Sequence, residues 1–155
     1  MIFTTSFQSP IGQIKIEADD NHITEITFAD QPVEETLNRL TSLAALQLAE
    51  YFAGNRKTFN LPLAFLGTVF QQQVFKLIAE IPFGGTLSYL QLAKRYGNEK
   101  AIRAVAAANG KNKLAIVVPC HRVVGSDGSL TGYAWGLDKK EWLLQHEGAI
   151  QKKLF

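Results

Sequence analysis

The sequence predicts an α/β N-terminal domain over residues 1–65 and a mainly α C-terminal domain over 66–155 with a helix-turn-helix and a wing. Three observations predict it. The first 30 residues carry strand periodicity, with polar and apolar residues alternating. Past Leu66-Gly67, two Ser/Thr-x-x-Gln capping boxes open apolar stretches of helical spacing in quick succession. Charge divides at the same place: residues 1–65 hold four Lys/Arg against eight Asp/Glu, a balance of −4, and 66–155 hold twelve against six, a balance of +6. That asymmetry fits either an ordinary solvated surface or an anionic partner for the second part.

Taken in order, Gln13 to Ala18 and Ile23 to Phe28 read as two strands, and Asp19-Asp20-Asn21 supplies turn chemistry for a hairpin. From Pro32 to Phe52 the apolar spacing is helical, at Val33, Leu37, Leu40, Leu48 and Phe52, with Ser42 placed to cap a second helix inside the span and Gly54 to end it. Thr58 to Leu63 reads as one more short strand. Thr68 and Gln71 form a capping box ahead of a helix whose face is Phe70, Val74, Leu77, Ile78 and Ile81, stopped by Pro82 and Gly84-Gly85.

Ser88 and Gln91 cap a short helix running to Tyr96 and closed by Gly97; Asn98 caps the next, Glu99 to Asn109, closed by Gly110. Two short helices around a glycine turn are a helix-turn-helix candidate. The second of them turns Ile102, Val105 and Ala106 to a core and carries Arg103 and Ala107 on the opposite side, which suits a packing helix or close approach to another surface. Leu114 to Val118 is an apolar run consistent with a buried strand, ended by Pro119; Val123-Val124 and Gly125 to Gly128 read as a hairpin or wing. A last helix starts near Asp138, with Glu141 three residues on, and ends at Gly148; the tail AIQKKLF carries no motif.

Composition excludes several classes. Hydrophobic residues make up 46% and charged ones 19%, as in soluble globular proteins, and no apolar run approaches the roughly 20 residues a membrane span needs. The start, MIFTTSFQSPIG, lacks the basic and apolar regions of a signal peptide, so a cytoplasmic location is expected. One cysteine cannot form an internal disulfide, and with His22, His121 and His146 it shows no metal-ligand spacing, so neither metal nor cofactor is expected.

That cysteine, Cys120, stands between Pro119 and the pair His121-Arg122. A lone cysteine serves either as a small buried hydrophobe or as a nucleophile. Pro119 fixes the chain as it leaves the apolar run, which puts the thiol at a strand end, and His121 and Arg122 favour a thiolate there. In the last helix Glu147 shares the apolar face of Leu143 and Leu144, and a buried carboxylate needs a partner such as a histidine. Thiol, imidazole and carboxylate are a nucleophile–base–orienter set. Neighbouring side chains in an extended backbone point apart, so Cys120 and His121 would need a turn or a bridging water.

The run Pro119-Cys120-His121-Arg122-Val123 resembles the active-site motif of the methylated-DNA–protein-cysteine methyltransferases, the O6-alkylguanine-DNA alkyltransferases. The similarity extends to YFAG at 51–54, GTVFQQQVF at 67–75, IPFGGTLSY at 81–89, AIRAVAAANGKN at 101–112, GY at 132–133 and KEWLLQHEG at 140–148. The resemblance implies a ribonuclease-H-like N-terminal domain, a winged helix-turn-helix C-terminal domain, and a single-use reaction in which Cys120 takes the alkyl group from O6 of guanine, activated through water by His121 and Glu147. The partner it implies is double-stranded DNA containing O6-alkylguanine, bound through the minor groove by a monomer, with O4-methylthymine as a second lesion.

Residue by residue, it implies DNA binding by Tyr89, Arg103, Ala106, Ala107, Asn112 and Arg122, with Arg103 filling the stack vacated by a flipped base. Tyr89, Val123, Tyr133, Ala134 and Trp135 are implied as the base pocket, with Tyr89 donating to N3, the main chain near Ala134 donating to O6, and carbonyls of Cys120 and Val123 accepting from the amine. The chain departs from the family pattern at Phe75, Gly85, Lys113 and Trp135, where tryptophan, glutamate, proline and glycine are usual.

Overall fold

The computed structural model describes residues 1–151. The chain divides into two compact units: Met1–Leu66 with Lys113–Val117, and Gly67–Asn112 with the chain from Val118 onward.

The first unit is an antiparallel meander of β1 (Phe3–Ser9), β2 (Gly12–Ala18) and β3 (Ile23–Phe28) with one helix, α1 (Arg39–Phe52). Ile14, Ile16 and Ala18 of β2 and Ile23 and Ile26 of β3 are fully buried, as are Ala44, Leu48 and Tyr51 of α1. The β2–β3 turn is held by Asp19, whose carboxylate accepts from the main chain of Asn21 at 2.8 Å and His22 at 2.7 Å. The edge strand β1 was not named by periodicity, because FTTSFQS buries only Thr5.

Four expectations for this unit fail. The helix starts at Arg39, not Pro32, because Thr36 exchanges two main-chain hydrogen bonds of 2.9 Å with Thr4 and is drawn to the sheet. Asn38 and Thr41 then form the capping box, and Ser42 lies inside α1 rather than capping a second helix. Thr58–Leu63 is no strand: the buried Gln47 side chain bonds both the N–H and the C=O of Asn60, and only Leu63 bridges to Ile23. Leu114 makes one parallel bridge to Ile26, after which Ile116 turns left-handed at φ 71° and ends the pairing. The apolar run is buried as expected, but as a turn, since a ladder cannot continue through that backbone region.

In the second unit α2 (Val69–Ala79) follows the Thr68–Gln71 box and buries Val74, Phe75 and Ile78. Leu87–Ser88 (β4) leads into α3 (Tyr89–Tyr96), capped reciprocally by Ser88 and Gln91. Gly97 ends α3 at φ 104°, and Asn98 caps a single 3-10 turn, Glu99–Ala101, that feeds α4 (Ile102–Asn109). The buried face of α4 is Val105, Ala108 and Asn109, rotated from the expected one, so that Ile102 and Ala106 are half-buried. Arg103 and Ala107 are exposed.

Beyond Pro119 comes a 3-10 turn, Cys120–Arg122, and then β5 (Val123–Val124). β5 pairs in parallel with β4, Leu87 opposite Val123, rather than folding back as a hairpin. A turn closed by the Gly125 N–H on the Ser129 carbonyl follows. The last helix, α5 (Leu137–His146), starts near Asp138 as expected; it is capped by Gly136 without a side-chain bond, Asp138 lies in its first turn, and Glu141 accepts from Gln145 at 3.1 Å. The final part of the C-terminal tail, 152–155, lies outside the described residues.

Gly97 and Gly110 make opposite predictions. Gly97 needs a left-handed backbone, so Gly97→Ala should cost about 1 kcal/mol in urea unfolding. Gly110 has φ −73° and room for a Cβ, so Gly110→Ala should be neutral or stabilising by about 0.5 kcal/mol.

Candidate active site

Cys120 is 2% exposed and opens the 3-10 turn, not a strand end as expected. The turn answers how adjacent residues share one site. Its thiol is pushed up to about 11 by burial, against which the Asn112 side chain and the charge of Lys140 pull it down. The expected helpers, His121 and Arg122, are committed elsewhere.

Glu147, the C-cap of α5, is where they are committed. Arg122 grips it with Nε on Oε1 at 2.7 Å and Nη2 on Oε2 at 2.9 Å, while Nη1 donates to the Ile81 carbonyl at 2.6 Å. His121 Nε2 meets Oε2 at 2.9 Å. Burial alone would raise the Glu147 carboxyl, but the hydrogen bonds and charges of His121 and Arg122 hold it at about 2. Burial lowers His121 despite Glu147, so the imidazole is neutral. An ionised carboxylate only accepts; Nε2 therefore carries the proton and Nδ1 the lone pair. Nδ1 is buried with no hydrogen-bond partner among the described residues.

The sites assigned from sequence separate into groups. His121, Arg122 and Glu147 share one buried cluster; Cys120 is buried in the same turn as the first two, with Asn112 beside the thiol and its Nδ2 donating to the Val118 carbonyl at 2.8 Å. Arg122, expected at the DNA surface, is 5% exposed, because its guanidinium is spent on Glu147 and Ile81. Tyr89, Arg103 and Ala106 line an open groove of about 440 Å³ with Ile102, Thr131 and Gly132. Ala107 is exposed on α4. Tyr133 and Trp135 pack edge to face at 5.3 Å, with Ala134 exposed between them.

The carbonyls expected to accept from a base already have donors: Cys120 accepts from both Asn109 Nδ2 at 3.3 Å and the Val123 N–H, and Val123 accepts from Lys140 Nζ at 2.6 Å. The Tyr89 hydroxyl donates to Thr131 at 2.8 Å. Sequence reasoning missed Asn109 and Lys140. Asn109 was readable, since i+4 from Val105 puts it on the core face; Lys140 sits in a charged run where nothing distinguishes it from Lys139. No cluster of His, Cys, Asp and Glu fit to hold a metal occurs among the described residues.

Fold and site together define a two-unit protein whose single thiol lies buried at a histidine–carboxylate–arginine cluster, beside a helix pair with an open groove. The chain belongs to the 6-O-methylguanine DNA methyltransferase family: residues 2–65 match its ribonuclease-like domain and residues 69–149 its DNA binding domain. A methylated-DNA–protein-cysteine methyltransferase of Methanosarcina mazei is 56% identical over 147 residues, 90% of this chain and 93% of the relative. That of Methanosarcina acetivorans is 45% identical over 152 residues, 92% and 96%. Among solved structures, Mycobacterium tuberculosis OGT in complex with DNA aligns at a TM-score of 0.85 with 39% identity, covering 93% of this chain and 91% of that one.

The pairing of Glu147 fixes a pH dependence. Its carboxyl falls from an ordinary 4.5 unfolded to about 2 folded, so the stability it contributes is complete above 4.5 and is lost as pH falls towards 2. Thermal melts should show Tm dropping across that window in wild type. Glu147→Gln strands the buried Arg122 charge and should cost about 3–5 kcal/mol at neutral pH.

Proposed function

We propose that this protein repairs DNA by direct reversal, transferring the alkyl group of O6-methylguanine, and of O4-methylthymine, to Cys120. The carrying observation is that the chain's single thiol lies in the same 3-10 turn as a buried histidine whose Nε2 is 2.9 Å from the buried Glu147 carboxylate. His121 Nδ1 takes the thiol proton through a water. Sγ then attacks the methyl carbon in line, the S–C bond forming as the C–O6 bond breaks, and the electron pair leaves on guanine. A thiolate is the strongest ordinary side-chain nucleophile, which a methyl on an aryl-ether oxygen demands. The thioether has no route back, so each molecule acts once.

A base inside a duplex cannot reach a buried sulfur and is flipped out. Under this reading α3, its turn and α4 are the helix-turn-helix within a domain 66–155, and the segment after β5 is the wing. Arg103, exposed on α4, fills the vacated stack, while Ala106 and Ala107 let that helix approach the minor groove. Tyr89 exchanges its bond to Thr131 for the base N3, Ala134 donates its N–H to O6, and the Cys120 and Val123 carbonyls accept from the amine. Asn112 positions the thiol. The +6 balance of residues 66–155 supplies sequence-independent attraction to phosphates.

Intact-mass spectrometry after incubation with a duplex containing O6-methylguanine should show the gain of one methylene unit, mapped to Cys120. Cys120→Ser should bind the duplex and gain nothing; a wild type that binds without gaining mass would make the protein a lesion sensor instead.

Trp135 stands where the family usually has glycine, and with Tyr133 it makes a rigid aromatic corner in the proposed pocket. It narrows the pocket in favour of methyl over larger groups. Trp135→Gly should therefore react faster than wild type with O6-benzylguanine; equal rates would remove this role from the ring.

A further inference from the structure

Two buried acceptors at the thiol-bearing turn have no hydrogen-bond partner among the described residues, His121 Nδ1 and Asn109 Oδ1. Orphans of this kind are rare in folded proteins, and each calls for a donor. Asn109, 4% exposed, is the last residue of α4, and its Nδ2 donates to the Cys120 carbonyl at 3.3 Å. That bond lays the carboxamide against the peptide joining Cys120 to His121. Turning the carboxamide over would set Oδ1 against the same carbonyl, so the oxygen is the atom left over.

A thiol has one proton to give and cannot serve two acceptors. A water can stand between them: it accepts from the Cys120 thiol and donates one hydrogen to His121 Nδ1 and the other to Asn109 Oδ1. Three hydrogen bonds are the usual complement of a buried water, and polar groups without other partners are where such waters sit.

We propose that Asn109 is a positioning residue for proton transfer: its Oδ1 holds one hydrogen of the water that carries the Cys120 proton to His121 Nδ1. The inference rests on the reading that Cys120 is the alkyl acceptor and loses its proton through water. The thiol proton passes to the water oxygen as one water proton passes to Nδ1. The S–H bond and one O–H bond break, while a new O–H bond and an N–H bond form. The hydrogen held by Asn109 does not move. What remains is a thiolate, an imidazolium and a neutral water that now donates to the sulfur. With Oδ1 occupied, the water keeps a lone pair turned to the thiol; without that anchor it is free to rotate, and the thiolate loses an oriented donor.

The test uses the full chain without DNA. Iodomethane is the probe, and Cys120 methylation is followed by intact mass as pH rises, in wild type and in Asn109→Leu, which keeps the size of the side chain and removes the amide. Iodomethane needs no base recognition, so failure of methyl transfer from the methylated duplex would sink the proposed function alone. The titratable groups facing the thiol, Lys140 of α5, Tyr89 of α3 and His121 beside it, are present in both proteins, so the ratio of the two rates isolates Asn109.

Asn109→Leu should react about tenfold more slowly at neutral pH, the effect of a thiol pKa higher by about one. It should approach the wild-type rate as pH rises towards about 11, where the thiol ionises without help. A side chain that merely placed the sulfur would slow the variant by the same factor at every pH. Equal rates at neutral pH overturn the proposal, as does a loss that does not shrink as pH rises. Should the variant not fold, a crystal structure of the wild type decides: an ordered water within hydrogen-bond reach of both Asn109 Oδ1 and His121 Nδ1 sustains the proposal, and a dry gap there overturns it.

Discussion

Both oxygens of the Glu147 carboxylate are occupied inside protein, and the second unit is arranged around keeping them so. An ionised carboxylate out of water is tolerable only with a full set of donors. Arg122 supplies two and His121 the third, and the spare Nη1 of Arg122 reaches the Ile81 carbonyl just past α2. One charge thereby ties together the end of α5, the turn carrying the thiol and the end of α2. The same charge decides which nitrogen of His121 holds the proton.

Burial of Cys120 disfavours its thiolate and pushes the thiol up to about 11. Asn112 and Lys140 hold down the cost of removing its proton. A neutral base oriented by a fixed carboxylate then makes proton removal local, in a place where the thiolate alone would be scarce.

Sequence carried the helices of the second unit well, because Thr68–Gln71, Ser88–Gln91 and Gly97 are local signals whose hydrogen bonds close within four residues. It carried Glu147 through its spacing to Leu143 and Leu144. It failed where a distant partner decided. Thr4 pulls Thr36 out of a helix, Gln47 replaces a strand at Asn60, and β4 claims β5 from the expected hairpin. Lys140 was invisible for the same reason: its partners are main-chain carbonyls up to 17 positions away, and carbonyls leave no mark in a sequence. Arg122 was misassigned because an arginine beside an active thiol looks the same whether it faces solvent or a buried acid.

The first unit owns five residues of the second half, Lys113–Val117, folded into it through the bridge from Leu114 to Ile26. The chain is therefore nested rather than consecutive, and its modules cannot be separated by a single cut. A fragment beginning at Gly67 would keep its thiol and helix pair yet display Leu114, Ala115 and Ile116 with nothing to cover them, two residues ahead of the segment that leads to Cys120. Fusions, truncations and split reporters made from this protein have to respect that interleaving, and a junction at Leu66 inherits a sticky loop.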